Sequence, residues 1–160
     1  MTTVPPGEQV YVDALRTLRE HGIAFVVIGS FGLRLHLGER LEGVTGRPPA
    51  DCDIVVPGDR ATLLGFVEAL PEWRVWSWRD PVPPLPEDIA GRFYLRARRG
   101  GLILDATYEP LGVTWPELRD TAIERTGIPV ATIESIVKTL AVRGGERDRR
   151  IIDRLRDLEP

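Results

Sequence analysis

The sequence has few of the residues that mark disulfide-rich and zinc-binding proteins. Its single cysteine, Cys52, excludes an internal disulfide. The two histidines, His21 and His36, have no cysteine or carboxylate at the spacing of zinc ligands, which argues against a zinc site. No apolar run approaches the roughly 20 residues that a membrane-spanning helix needs, so we expect no membrane association.

The N-terminus also has little that would direct export. It carries no basic segment followed by an apolar stretch, so we expect no secretory signal and a cytoplasmic protein. The chain has 21 lysine and arginine residues and 24 aspartate and glutamate residues, which gives a net charge of −3. This balance argues against a uniformly basic nucleic-acid-binding surface but leaves room for a local basic groove.

What the chain does contain is typical of one globular domain. Its 160 residues are 42% hydrophobic and 28% charged, and domains commonly have about 100–150 residues. We therefore predict a single domain over 1–160, with a core over about 8–110 and a helical C-terminal part over about 115–160. The 14 prolines and 16 glycines divide the chain into short elements.

The apolar patterns predict alternating helices and short strands. Helical spacing is present over 8–22, 31–41, 59–70, 132–142 and 146–158. Short apolar or alternating segments predict strands over 23–28, 53–56, 73–78, 92–98 and 102–107, with an extended pair over 121–130. Loops are predicted over 41–50 and 81–87. This order predicts an α+β (α/β-like) fold, in which helices flank a mixed β-sheet and a short helical tail ends the chain.

Three aspartates are the candidate metal ligands. Asp51 and Asp53 are two residues apart, so on a strand their side chains share one face. Two close carboxylates repel each other, and a divalent cation between them removes that cost. Asp105 interrupts a later apolar strand and joins the pair if the two strands are neighbours. Three carboxylates can hold two metal ions for phosphoryl transfer.

A glycine-serine pair is the candidate phosphate site. Gly29 and Ser30 lie between a buried strand and a helix, where backbone N–H groups can bind phosphate. Each signal alone has an ordinary interpretation, since an Asp-x-Asp pair often caps or turns a chain and Asp105 could face water. Their order along the chain, with Asp51 21 residues after Ser30, favours the functional interpretation.

This ordered set resembles the DNA polymerase β-like nucleotidyltransferase superfamily. The signature is a strand, Gly-Gly or Gly-Ser opening a helix, Asp-x-Asp followed by apolar residues, and a third aspartate on a later strand. The matching residues are Gly29, Ser30, Asp51, Asp53 and Asp105. The resemblance covers about 23–107. One departure is Ala50, which stands where the family commonly has serine or threonine.

The C-terminal part is similar to a small bacterial branch that includes AbiEii-type toxins and minimal nucleotidyltransferases. In that branch a helical lysine precedes an arginine and an aspartate-containing helix, which here would be Lys138, Arg143 and Asp148. The resemblance implies that Lys138 contacts nucleotide phosphates and that Arg143 and Asp148 support the site. It also implies a possible antitoxin partner.

The resemblance implies transfer of a nucleoside monophosphate from an NTP to a hydroxyl acceptor, with release of pyrophosphate. Asp51, Asp53 and Asp105 would bind two Mg²⁺ ions, and Asp105 would also help to deprotonate the acceptor. Gly29, Ser30 and Lys138 would hold the phosphates. The acceptor could be tRNA, a protein or a small antibiotic. The alternative is a non-catalytic antitoxin-like or nucleotide-binding module with the same fold.

Two further features have open interpretations. Cys52 should point away from the aspartates on either side of it and pack in the core. A group of arginines follows the strand over 92–98 and its turn. It is either a solvated sheet edge or a contact for an RNA or phosphate acceptor. Its members are Arg92, Arg96, Arg98 and Arg99.

Overall fold

The computed structural model of the chain describes residues 6–77, 94–108 and 112–158. The loop predicted over 81–87 lies outside these residues, as do the end of the strand predicted over 73–78 and the start of the one predicted over 92–98. Among the described residues, no helix is both long and apolar enough to cross a membrane.

The described strands form one mixed sheet of seven strands, in the order β3-β4-β5-β2-β1-β7-β6. They are β1 (Val26–Ile28), β2 (Cys52–Val55), β3 (Arg74–Ser77), β4 (Tyr94–Arg99), β5 (Leu102–Thr107), β6 (Ile123–Arg125) and β7 (Ile128–Val130). The α-helices are α1 (Pro6–Glu20), α2 (Gly29–Leu37), α3 (Leu41–Thr45), α4 (Arg60–Ala69), α5 (Trp115–Thr121), α6 (Ile133–Arg143) and α7 (Glu146–Asp157). The predicted α+β class with helices at the C-terminus is confirmed.

The sheet mixes two parallel strand pairs with four antiparallel pairs. β2 runs parallel to β5, and β1 runs parallel to β7. The pairs β1–β2, β3–β4, β4–β5 and β6–β7 are antiparallel. The hairpin of β4 and β5 turns at Gly100-Gly101, and Gly100 has the positive φ of 59° that such a turn favours. The other edge of β5 pairs with β2.

The two faces of the sheet carry two separate hydrophobic cores. Along β2, Cys52 and Ile54 pack with α1 and α4 on one face, whereas Val55 packs with α2, α3, α6 and α7 on the other. Side chains on a strand alternate between faces, so Asp53 lies on the same side as Val55. The predicted core position of Cys52 is confirmed, since its side chain is fully buried.

The segment predicted as a loop over 41–50 is helical in its first half. α2 begins at Gly29, earlier than predicted, and a 3-10 turn over Gly38–Arg40 connects it to α3. Leu41 and Val44 are buried in the core, and this burial favours a helical turn that local composition did not indicate. The turn ends at Gly46, whose backbone is left-handed.

One helix was not predicted at all. α5 begins after Thr114, whose hydroxyl accepts a hydrogen bond from the backbone N–H of Glu117 at 3.3 Å. Its one fully buried apolar side chain is Leu118. A helix of seven residues with one buried contact has almost no periodicity to detect.

The N-cap of α4 at Asp59 provides a test of the fold. Its carboxylate accepts hydrogen bonds from Thr62 at the first turn of α4, with the backbone contact at 2.8 Å. We expect Asp59→Ala to lower the free energy of unfolding by about 1 kcal/mol, because a helix N–H loses its partner. Urea denaturation measures this change. The control is Asp153→Ala at an exposed site within α7, which should change stability by less than about 0.5 kcal/mol. Equal losses of unfolding free energy in the two variants would contradict a capping role for Asp59.

Candidate active site

The pairing of β2 with β5 brings the three predicted aspartates together. Asp53 lies directly opposite Asp105 in this parallel pair, and Asp51 immediately precedes β2. One carboxylate oxygen of each residue lies within 4.8 Å of those of the other two. The donor set consists only of carboxylate oxygens, which are the ligands that Mg²⁺ prefers.

Gly29 lies against one of these carboxylates. The residue before it, Ile28, pairs with Asp53 across the β1–β2 ladder. Gly29 has a φ of 68°, and a Cβ atom placed on it would lie 2.8 Å from Oδ2 of Asp53. A larger residue would therefore be strained in its backbone and would collide with the carboxylate. The backbone of Gly29 thus lies close to a side chain of the protein itself.

A cavity of about 480 Å³ opens over the carboxylates. This volume lies within the usual range for small-molecule sites. Its lining residues come from the strand ends, the start of α2 and the C-terminal helices. They are Ile28, Gly29, Ser30, Leu33, Arg47, Ala50, Asp51, Asp53, Asp105, Thr107, Thr139, Leu140, Arg143, Arg147 and Ile151. Five of the six predicted site residues therefore share one cavity.

The carboxylates perturb one another. Burial, followed by the charges of Asp51 and Asp105, raises the pKa of Asp53 to about 7. Burial and the charge of Asp105 also raise the pKa of Asp51. The guanidinium groups of Arg96 and Arg143 act in the opposite direction on both carboxyls. The site thus accumulates negative charge that a bound cation would neutralise.

Arg96 binds the third carboxylate from the neighbouring strand. Arg96 on β4 lies opposite Asp105 on β5, and its Nε and Nη2 atoms donate hydrogen bonds of 2.8 and 3.0 Å to the two carboxylate oxygens. Asp105 is 8% exposed, so the pair is shielded from solvent on most sides. A guanidinium bound in this way competes with any cation for the same oxygens.

Three arginines line the cavity around the acidic floor. Arg143, in the last turn of α6, donates hydrogen bonds of 2.7 and 2.5 Å to the buried carboxylate of Asp148. Arg147 follows in the first turn of α7, and Arg47 precedes β2. A signal for this group was available in the sequence, because Arg143 and Arg147 flank a Gly-Gly pair at a spacing of four residues.

Lys138 is the one predicted site residue that the structure places elsewhere. It is not among the residues that line the cavity. Its Nζ atom lies 2.8 Å from Oε1 of Glu117 on α5. One residue further along α6, Thr139 does line the cavity. The rotation of α6 thus directs Lys138 to Glu117, and the phosphate role implied for this lysine stays a prediction.

Comparisons with known proteins bear on this arrangement. No protein-family model matches the chain, and no curated protein matches it in sequence. A Helicobacter pylori protein assigned as a nucleotidyltransferase aligns at a TM-score of 0.52, with 18% identity over 84% of this chain and 56% of that one. JHP933 from Helicobacter pylori aligns at 0.57, with 19% identity over 95% of this chain and 65% of that one.

The chain has the nucleotidyltransferase fold. It spans less than two thirds of the length of either Helicobacter pylori protein. The antibiotic-resistance factor ANT(2'')-Ia also aligns, at a TM-score of 0.47 and 17% identity over 93% of this chain and 90% of that one. Membership of the AbiEii-type branch stays a prediction.

The raised pKa of Asp53 predicts a pH-dependent stability. In the folded protein Asp53 keeps its proton up to about pH 7, whereas its ordinary pKa is 3.8. The folded state therefore binds more protons between these values, and the free energy of unfolding should fall as the pH rises through them. The free energy of unfolding should fall by up to about 4 kcal/mol over this pH range. Asp53→Asn cannot lose a proton, so without metal it should be more stable than the wild type at pH 8.

Thermal denaturation between pH 4 and pH 8 tests this prediction. Asp153→Asn, at an exposed position, should reproduce the wild-type profile. Added Mg²⁺ should restore the stability of the wild type at pH 8, because metal binding favours the ionised carboxyls. An Asp53→Asn profile that parallels the wild type would contradict the raised pKa.

Competition between Arg96 and a cation can be measured directly. We expect Arg96→Met to bind Mn²⁺ severalfold more tightly than the wild type in the absence of nucleotide, because Asp105 loses its bound guanidinium. Titration calorimetry measures the affinity. Arg99→Met is the matched control, since the guanidinium of Arg99 pairs with Glu72, outside the cavity. A folded Arg96→Met protein with wild-type Mn²⁺ affinity would contradict this competition.

Proposed function

We propose that the protein is a Mg²⁺-dependent nucleotidyltransferase that moves a nucleoside monophosphate from an NTP to a hydroxyl acceptor and releases pyrophosphate. The observation that carries this proposal is the convergence of Asp51, Asp53 and Asp105 in one cavity that arginines also line. Acidic residues bind cations and arginines bind phosphates, so a metal-bound nucleotide suits both parts of this cavity.

The residues present suit Mg²⁺. The three carboxylates offer oxygen ligands at mutual distances that one or two ions can bridge, and the raised pKa of Asp53 indicates a site short of positive charge. We assign all three aspartates as ligands of two Mg²⁺ ions. When bound, the ions would neutralise the phosphate oxygens and favour ionisation of the acceptor hydroxyl.

Asp105 is assigned to the acceptor side of the reaction. It would accept the proton of the acceptor hydroxyl while the hydroxyl oxygen forms a bond to the α-phosphorus. The bond between the α-phosphorus and the bridging oxygen breaks, and pyrophosphate leaves with the electron pair.

Arg143 and Arg147 are assigned to the β- and γ-phosphates. The bidentate contact with Asp148 holds the Arg143 guanidinium in a fixed orientation beside the cavity. Gly29 and Ser30 open α2, whose first turn has no side-chain cap and can donate N–H groups to phosphate. The phosphate role implied for Lys138 would require it to leave Glu117, so we assign that role to the arginines.

Nucleotide transfer tests the proposal. The protein would be incubated with Mg²⁺ and each α-labelled NTP, together with total tRNA, cell protein or candidate antibiotics. We expect label in one of these pools and a loss of at least roughly a hundredfold in Asp53→Asn, because the variant lacks a metal ligand. Asp153→Asn, outside the cavity, should retain the wild-type rate.

Two outcomes would overturn the proposal. Transfer by Asp53→Asn at the wild-type rate would contradict the metal assignment. NTP binding without label in any pool would instead favour the non-catalytic nucleotide-binding module. A cognate antitoxin would be detected as a co-purifying protein that suppresses transfer.

A further inference from the structure

Arg47 is the arginine of the cavity that the proposed function leaves without a role. It lines the cavity from the segment that connects α3 to β2, four residues before Asp51. Arg143 is bound to Asp148, whereas the guanidinium of Arg47 has no hydrogen-bond or ion-pair partner among the described residues. Burial raises the pKa of Asp51 and the charge of Arg47 opposes this rise, so the guanidinium lies near the acidic cluster. Its donors are thus available to an anionic ligand in the cavity.

The backbone of Arg47 is held in place on both sides. The hydroxyl of Thr45 donates a hydrogen bond of 2.6 Å to the carbonyl oxygen of Arg47. Gly46, which comes before it, has the left-handed backbone that ends α3. Pro48, which comes after it, restricts Arg47 to extended conformations. The side chain therefore extends from a fixed point, and less conformational entropy is lost when it binds a ligand.

The packing of α3 on α7 connects Arg47 to the other arginines of the cavity. Buried side chains of the two helices share one core, and Nη1 of Arg154 donates a hydrogen bond of 3.0 Å to the carbonyl oxygen of Val44. Arg147 and Ile151, one turn apart on α7, both line the cavity. Neighbouring elements that share a core therefore bring Arg47 and Arg147 to the same cavity.

The direction of the proposed reaction indicates which phosphate would reach these elements. In an in-line displacement the leaving phosphates lie on the far side of the α-phosphorus from the attacking hydroxyl. The acceptor is assigned to Asp105 on β5, so the leaving phosphates extend away from β5, toward β2 and β1. The helices α2, α3, α6 and α7 pack against this part of the sheet. The terminal phosphate thus extends toward the elements that carry the arginines.

The charges that line the cavity make the contribution of Arg47 specific. Among the described residues of the lining, three aspartates face three arginines, so their charges cancel when the carboxyls are ionised. Without Arg47 the aspartates outnumber the arginines. A triphosphate carries more negative charge than a diphosphate, and it therefore loses more binding energy when a cavity arginine is removed.

We propose that Arg47 binds the terminal phosphate of the nucleotide and makes the cavity select a nucleoside triphosphate over a diphosphate. The inference rests on the proposed function for the identity of the ligand. Selection between phosphate chains is nevertheless a property of binding, so it can be measured when no nucleotide is transferred.

Calorimetric titration tests the selection without an acceptor. The α,β-methylene analogues of the four NTPs and of the corresponding NDPs cannot release their terminal phosphates by transfer at the α-phosphorus, and each would be titrated with Mg²⁺ into the full chain. We expect Arg47→Gln to weaken NTP-analogue binding by roughly tenfold and NDP-analogue binding by less than about twofold, because only the triphosphate reaches Arg47.

Arg150→Gln on α7 is the matched control. It removes the same charge from an exposed position outside the residues that line the cavity, and it should bind both analogues like the wild type. Arg47 is also exposed, and circular dichroism confirms that both variants fold.

The outcomes separate the inference from the proposed function. A wild-type preference for NTP over NDP in Arg47→Gln overturns the inference, as does equal weakening of both analogues. If nucleotide is transferred and Arg47→Gln keeps its preference, the proposed function stands and the inference fails. If Arg47→Gln loses the preference but the wild type labels no acceptor, the inference stands and the transfer fails. A wild type that binds no NTP analogue overturns both.

Discussion

The parallel pairing of β2 with β5 is the constraint on which the site depends. It places Asp53 opposite Asp105 at the centre of the sheet, where both strands have neighbours on each side. A shift of one residue would turn one carboxylate into the opposite core, and the burial of Cys52 and Ile54 on that side opposes such a shift. The apolar core thus holds the acidic cluster in register.

The protein maintains this cluster at an electrostatic cost. Three carboxylates that are partly shielded from solvent repel one another, as the raised pKa values of Asp51 and Asp53 indicate. Arg96 and Arg143 reduce that repulsion, and each is bound to an aspartate. The positive charges are therefore preorganised around the cavity. The net charge of −3 conveys none of this, because charges of both signs are segregated over short distances.

Much of the fold could be predicted because its signals are local. The apolar segments of β1, β2 and β5, the hairpin at Gly100-Gly101 and the cap at Asp59 all follow from neighbouring residues. The helix over Leu41–Thr45 could not be predicted, because the burial of its two apolar side chains stabilises it against a glycine-rich composition. Such burial depends on elements distant in the sequence.

The sequence by itself determined the order of most of the elements, the identity of the three aspartates and the glycine that opens α2. These depend on residue type and spacing, which are visible along the chain. Only the tertiary structure decided which lysine and arginine side chains lie beside the three aspartates. Lys138 and Arg143 lie on one helix, but its rotation against α5 and α7 pairs Lys138 with Glu117 and leaves Arg143 beside the cavity. Likewise, the register of β4 against β5 placed Arg96 opposite Asp105. The partner of a long side chain depends on such tertiary pairing and is not visible along the chain.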